Sequence, residues 1–116
     1  MAMEIMKVSK GEIIIKEGQA SEEMFYLKTG KLRVYKGDGE DKIYVGNIKE
    51  GSLVGELSFL DKQTRSATVE AVVECELVKI PREFYDKVVS DQPMWLSVLI
   101  NTLGDRLRDA TRRLTL

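Results

Sequence analysis

The chain has 116 residues, a net charge of −1 and 43% hydrophobic residues, which suits one globular domain with a buried core and a solvated surface. It has no histidine and a single cysteine, so most metal sites, the usual general base, Ser-His nucleophile systems and an internal disulfide are lost at once. The near-neutral charge leaves no basic footprint for nucleic acid, and no apolar run is long enough to span a membrane.

In chain order, Met1 to Glu4 lacks the pattern of a signal peptide, and residues 1–9 read as a short leader. Ile13, Ile14 and Ile15 form a β-branched run closed by Glu17-Gly18. Met24–Leu27 and Leu32–Lys36 flank Thr29-Gly30, which predicts a hairpin. Gly37-Asp38-Gly39 marks a second turn, and Ile43–Ile48 is a further strand stopped by Glu50-Gly51. Ala67–Ala71 and Cys75–Ile80 alternate as strands. Cys75, alone and within a strand, reads as a small buried hydrophobe that fits a reducing, cytoplasmic setting. Many short strands with regularly spaced turns predict a sandwich or a barrel.

After Pro81 the hydrophobic period changes to that of helices. One helix is predicted from Pro81, and a second from Ser90-Asp91 with Pro93 in its first turn. In the second, Leu96, Ile100, Leu103, Leu107, Ala110 and Leu114 recur at spacings of four and three, a heptad-like seam. Arg106, Arg108, Arg112 and Arg113 crowd its end, where cations favour the helix dipole. The seam either packs on the barrel or meets a partner helix.

The stretch "VGELSFLDKQTRSATVEA", residues 54–71, sets one carboxylate and one guanidinium in apolar surroundings. A Gly followed by a few helix-compatible residues makes a short helix whose first N–H groups favour an anion. Arg65, nine residues after Glu56, can fold back over that anion through two parallel N–H bonds. Glu56 beside a phosphate is electrostatically wrong unless it faces a donor such as a sugar hydroxyl. A ligand carrying both groups fits, and so does a plain Glu56–Arg65 ion pair tying a surface loop.

"GELSFLDKQTRSAT" resembles the phosphate-binding cassette of the cyclic-nucleotide-binding domains of catabolite activator proteins, kinase regulatory subunits and gated channels. "GEIIIKEGQASEEMFYLKTGKLRVYK" resembles the same family's opening, with Gly11, Gly18, Gly30 and Gly51 at the expected turns, and the match runs from about residue 10 to 114. The resemblance implies a mainly β fold over one domain, 1–116: a β-jelly-roll (double-stranded β-helix) over 10–80 with a short cassette helix, then two C-terminal helices over 81–116. It implies that Glu56 accepts from the ribose 2′-hydroxyl and Arg65 pairs with the cyclic phosphate. Backbone N–H groups around Leu57, Ser66 and Ala67 would complete the cradle, and Gly55 would allow its turn. The last helix would lie over the base, with Leu107 and Thr111 as candidates to approach it. Two departures stand out: Val54 replaces a common aromatic, and Asp61-Lys62-Gln63-Thr64 lacks the Gly or Pro often found before the arginine.

The expected function is therefore a regulatory module that senses a cyclic nucleotide, with no catalytic or metal site and no cofactor beyond that ligand. Serine at position 66 favours cAMP over cGMP, since threonine there more often accompanies cGMP in the resembled family. Expected partners are the nucleotide, a homodimer mate through the C-terminal helix, and an output domain or protein supplied elsewhere. Neither DNA nor a membrane is expected to bind this chain directly. The alternative from another class is a nucleotide-free jelly-roll that serves as a dimerisation or interaction domain. A jelly-roll metalloenzyme fails on the histidine count.

Overall fold

The computed structural model describes residues 4–114, with side chains described through residue 110. Eight strands form the barrel: β1 (Glu4–Val8), β2 (Ile13–Ile15), β3 (Glu23–Thr29), β4 (Leu32–Lys36), β5 (Ile43–Ile48), β6 (Leu53–Val54), β7 (Thr68–Ala71) and β8 (Cys75–Pro81). They make two four-stranded sheets, in the orders β1-β8-β3-β6 and β2-β7-β4-β5, with every pair antiparallel. This is the mainly β architecture of a jelly-roll with a few helices, as the resemblance implies.

Alternation along the strands builds the core. Phe25 and Leu27 of β3, Val69 and Ala71 of β7, and Cys75 and Leu77 of β8 sit two residues apart and point to one face. Val8, Ile15, Leu32 and Val54 complete the cluster. Cys75 is fully buried, as expected of a small hydrophobe. Val54 is also fully buried, so the position where an aromatic is common is closed without one. β7 is buried along its whole length, and its two polar residues are satisfied. The Thr68 hydroxyl accepts from the Glu17 N–H at 3.0 Å, and Glu70 accepts from Arg33 Nε at 2.5 Å, its direct neighbour across the β4 ladder.

Four expectations change, the last of them in the helical unit. Thr29-Gly30 does not close a hairpin: β3 pairs with β6 and β8, whereas β4 pairs with β5 and β7, so this turn carries the chain from one sheet to the other. Gly30 is needed there, with φ of 106° and an added Cβ falling 2.8 Å from the Glu74 carbonyl oxygen and 2.9 Å from Cys75 Cα. Residues 4–8, expected in a leader, form β1 along β8. Pro81 ends β8 rather than starting a helix; α2 (Arg82–Ser90) begins one residue later.

The chain forms two compact units, the barrel up to Arg82 and a helical unit from Glu83 onward. In the second, α3 (Met94–Leu114) runs 21 residues, so Ser90-Asp91 closes the preceding helix and Pro93 precedes the next. Of the seam residues, Leu96 and Ile100 are half-buried, and Leu103, Leu107 and Ala110 are exposed; the Leu114 side chain lies outside the described residues.

Candidate functional site

One stretch of chain between β6 and β7 carries the candidate site. Gly55 takes a left-handed conformation (φ 72°, ψ 20°) and starts α1 (Glu56–Asp61). The six-residue helix is anchored by Phe59, which is fully buried. It stops at Lys62, the one residue other than glycine with positive φ among the described residues (58°), whose N–H reaches the Phe59 and Ser58 carbonyls. Lysine thus does at 62 what a glycine would do more easily.

The loop before β3 embraces this helix and the segment after it. Gly18 N–H donates to the Arg65 carbonyl at 2.9 Å, and Arg65 N–H donates to the Gln19 carbonyl at 2.8 Å. The buried Ser21 hydroxyl shares its hydrogen between the Ser58 carbonyl (2.8 Å) and the Gln63 carbonyl (2.6 Å), tying the helix to its exit. Arg82, the last residue of the barrel unit, stacks over Phe59 at 4.2 Å from the ring centroid. Its Nη2 also donates to the Phe59 and Ser21 carbonyls at 2.8 and 2.9 Å.

The resulting cavity, about 220 Å³, opens between α1 and the start of β7. Ile15, Val34, Ile48, Leu53 and Val69 supply its apolar lining. Gly55, Glu56, Leu57 and Ser58 form one polar wall, and Arg65, Ser66 and Ala67 form the other. All six cassette residues singled out from the sequence therefore line one cavity within the barrel unit. Leu107 lies on α3 in the other unit, and the Thr111 side chain lies outside the described residues.

The two charges do not meet. Arg65 is 5% exposed, and Nη1 donates to the Gly55 carbonyl at 2.9 Å and to Ser58 Oγ at 3.1 Å, while Nη2 donates to the Glu23 carbonyl. Glycine suits position 55 on two counts: its φ of 72° is strained for any other residue, and an added Cβ would lie 2.5 Å from Arg65 Nη1 and 2.7 Å from Ile15 Cδ1, so that one of those side chains would have to shift. Burial pushes the Arg65 guanidinium below its ordinary pKa; Glu23 opposes that shift and Arg82 adds to it. Glu56 is half-buried on the wall, and among the described residues its carboxylate has no hydrogen bond or ion pair. The plain Glu56–Arg65 ion pair is thus not what holds the loop. An acceptor and a cation offered to one half-apolar cavity can take a ligand with a hydroxyl, an anionic group and a flat apolar part.

Ser21, Ser58 and Arg82 are structural members of this site that the sequence pattern does not single out. Arg82 does leave a signal: a cation in the first turn of a helix opposes the dipole, which points to another task.

A family model described as "Cyclic nucleotide-binding domain" matches residues 5–92. The lysophospholipase nte1 of Aspergillus fumigatus is 30% identical over 113 residues, which is 97% of this chain and 7% of that protein. The chain thus spans a small fraction of the length of the lysophospholipases it matches. The catabolite activator protein of Thermus thermophilus superposes with a TM-score of 0.79 at 28% identity, over 97% of this chain and 54% of that one. The EAL enzyme Bd1971, 26% identical, superposes in a cAMP-bound form (TM-score 0.75) and a cGMP-bound form (0.78). Those superpositions cover 97% and 95% of this chain and 30% of that protein.

Proposed function

The chain belongs to the cyclic nucleotide-binding domain family, and from that premise we propose that it is a regulatory rather than a catalytic module whose barrel cavity takes the nucleotide. Arg65 pairs with the cyclic phosphate and Glu56 accepts from the ribose 2′-hydroxyl. Backbone N–H groups around Leu57, Ser66 and Ala67 complete the phosphate cradle, and Gly55 permits the turn that leads into it. The observation that carries this reading is the pairing of a buried Arg65 with a Glu56 that has no protein partner among the described residues, both on one cavity. A scaffold that binds no ligand could use Arg65 to hold the loop, but it has no need of a half-buried, unpartnered carboxylate on the same cavity.

The preferred nucleotide is cAMP, with cGMP the weaker ligand. Ser66 is the cassette side chain with a hydroxyl directly after the arginine, and it is itself exposed. A hydroxyl shared between phosphate and base gives modest discrimination. That Bd1971 has both cAMP-bound and cGMP-bound forms agrees with a fold that accepts either base. The signal leaves through α3 to a partner, a second copy or another part of a larger protein; exposed Trp95, Val98, Leu99 and Leu103 on that helix support an outward contact.

Calorimetric titration with cAMP and cGMP tests the reading. Both should bind, cAMP about tenfold tighter, which is about 1.4 kcal/mol. Arg65→Ala should weaken both at least tenfold, because a charge-assisted hydrogen bond is worth about 1.5–3 kcal/mol. Glu56→Ala should erase the difference between cAMP and its 2′-deoxy analogue. An absence of heat and of thermal shift with either nucleotide at millimolar concentration overturns the proposal.

A further inference from the structure

We infer that Ser58 is a positioning residue that presets Arg65 for its anion, an assignment that rests on the nucleotide reading above. A guanidinium carries five N–H donors in a rigid fork. In Arg65, Nη1 donates to both the Gly55 carbonyl and Ser58 Oγ, and Nη2 donates to the Glu23 carbonyl. Nε–H and the second Nη2–H stay uncommitted among the described residues. Those donors sit on neighbouring nitrogens of the fork, the arrangement a phosphate takes with two parallel bonds. The three acceptors thus use Nη1 and one hydrogen of Nη2, and Nε–H with the remaining Nη2–H is the pair we assign to the ligand.

Two of these acceptors are main-chain carbonyls, fixed by β3 and by the Gly55 turn. Ser58 is the one side chain among the three. Its oxygen accepts from Arg65 at 3.1 Å while its own hydrogen points to the Gly55 carbonyl at 3.5 Å, so Ser58 and Arg65 converge on the same oxygen. Ser58 also lines the cavity. Without its hydroxyl, the third hydrogen-bonding direction is gone and the long arginine side chain regains rotamer freedom. That freedom must be given up again when the anion binds.

The test uses the whole chain and has two arms. In ligand-free protein, NMR should show slowly exchanging Arg65 Nη hydrogens, and Ser58→Ala should speed their exchange while Ser58→Thr, which keeps the hydroxyl, should not. In titrations, Ser58→Ala should weaken cAMP and cGMP alike by about five- to tenfold, Ser58→Thr should bind within about twofold of wild type, and melting temperatures should confirm that all variants fold. In an Arg65→Ala background, Ser58→Ala should have no further effect on affinity. Wild-type binding with an unchanged Ser58→Ala affinity overturns this inference and leaves the nucleotide reading standing. A loss for one nucleotide only, or an undiminished loss in the Arg65→Ala background, overturns it equally. Wild-type protein that binds neither nucleotide overturns the nucleotide reading, and the exchange arm then decides whether Ser58 fixes Arg65.

Discussion

At the scale of single residues, the site depends on one missing side chain as much as on the charges around it. Gly55 holds a left-handed φ of 72°, and its Cα faces Arg65 Nη1 so closely that a methyl group would lie 2.5 Å away. Gly55→Ala therefore meets two costs at once: about 1–2 kcal/mol for the left-handed backbone, and displacement of the guanidinium or of Ile15. Differential scanning calorimetry should show a melting temperature lower by roughly 4–8 °C per kcal/mol lost, and nucleotide affinity should fall with it. An alanine variant that melts and binds like wild type would show that the Gly55–Arg65 approach is unimportant. Glu56, Arg65, Ser66 and Ala67 are legible in the sequence because they lie in one contiguous motif. Ser21 and Ser58 are not, because their partners include backbone carbonyls, which every residue has and no residue type announces.

Among the elements, α1 is unusual in being bounded on both sides by left-handed residues, Gly55 and Lys62. Glycine adopts that conformation freely and lysine does not. Lys62 is exposed, and its role in ending the helix is played by its backbone N–H, which glycine also has. Lys62→Gly should thus stabilise the protein, by up to about 1 kcal/mol after the added flexibility of the unfolded chain is subtracted. Thermal melts check this, and a lower melting temperature would mean that the lysine side chain has a role of its own. The strands over 32–36 and 43–48 are readable to the residue from their β-branched and aromatic content and their flanking glycines. β6, with two residues, is too short to show any period, and β1 buries only Val8, so its partner β8 rather than its own pattern makes it a strand. Thr29-Gly30 misleads because the same turn chemistry serves a chain that doubles back and a chain that changes sheets; only long-range pairing separates the two.

For the molecule as a whole, the absence of histidine removes the side chain whose ordinary pKa lies nearest neutrality. The proposed pair between Arg65 and a phosphate needs the guanidinium to be protonated. Burial lowers that pKa, so the pair is lost as pH rises, and acid does not weaken it. Nucleotide affinity should stay within about twofold from pH 6 to pH 8 and fall only on the alkaline side; a marked decline toward pH 6 in calorimetry would contradict the sign of this effect. The pairing of β1 with β8 carries a consequence for synthesis. Val8 lies opposite Cys75 and Glu4 opposite Lys79, so the first of the eight described strands is matched to the last. On the ribosome, β1 waits unpaired while nearly all of the barrel is translated, and its sheet can close only when β8 emerges. Nascent chains tethered at increasing lengths to a force-sensitive arrest peptide should therefore pull late and in one step, after residue 81 has cleared the exit tunnel.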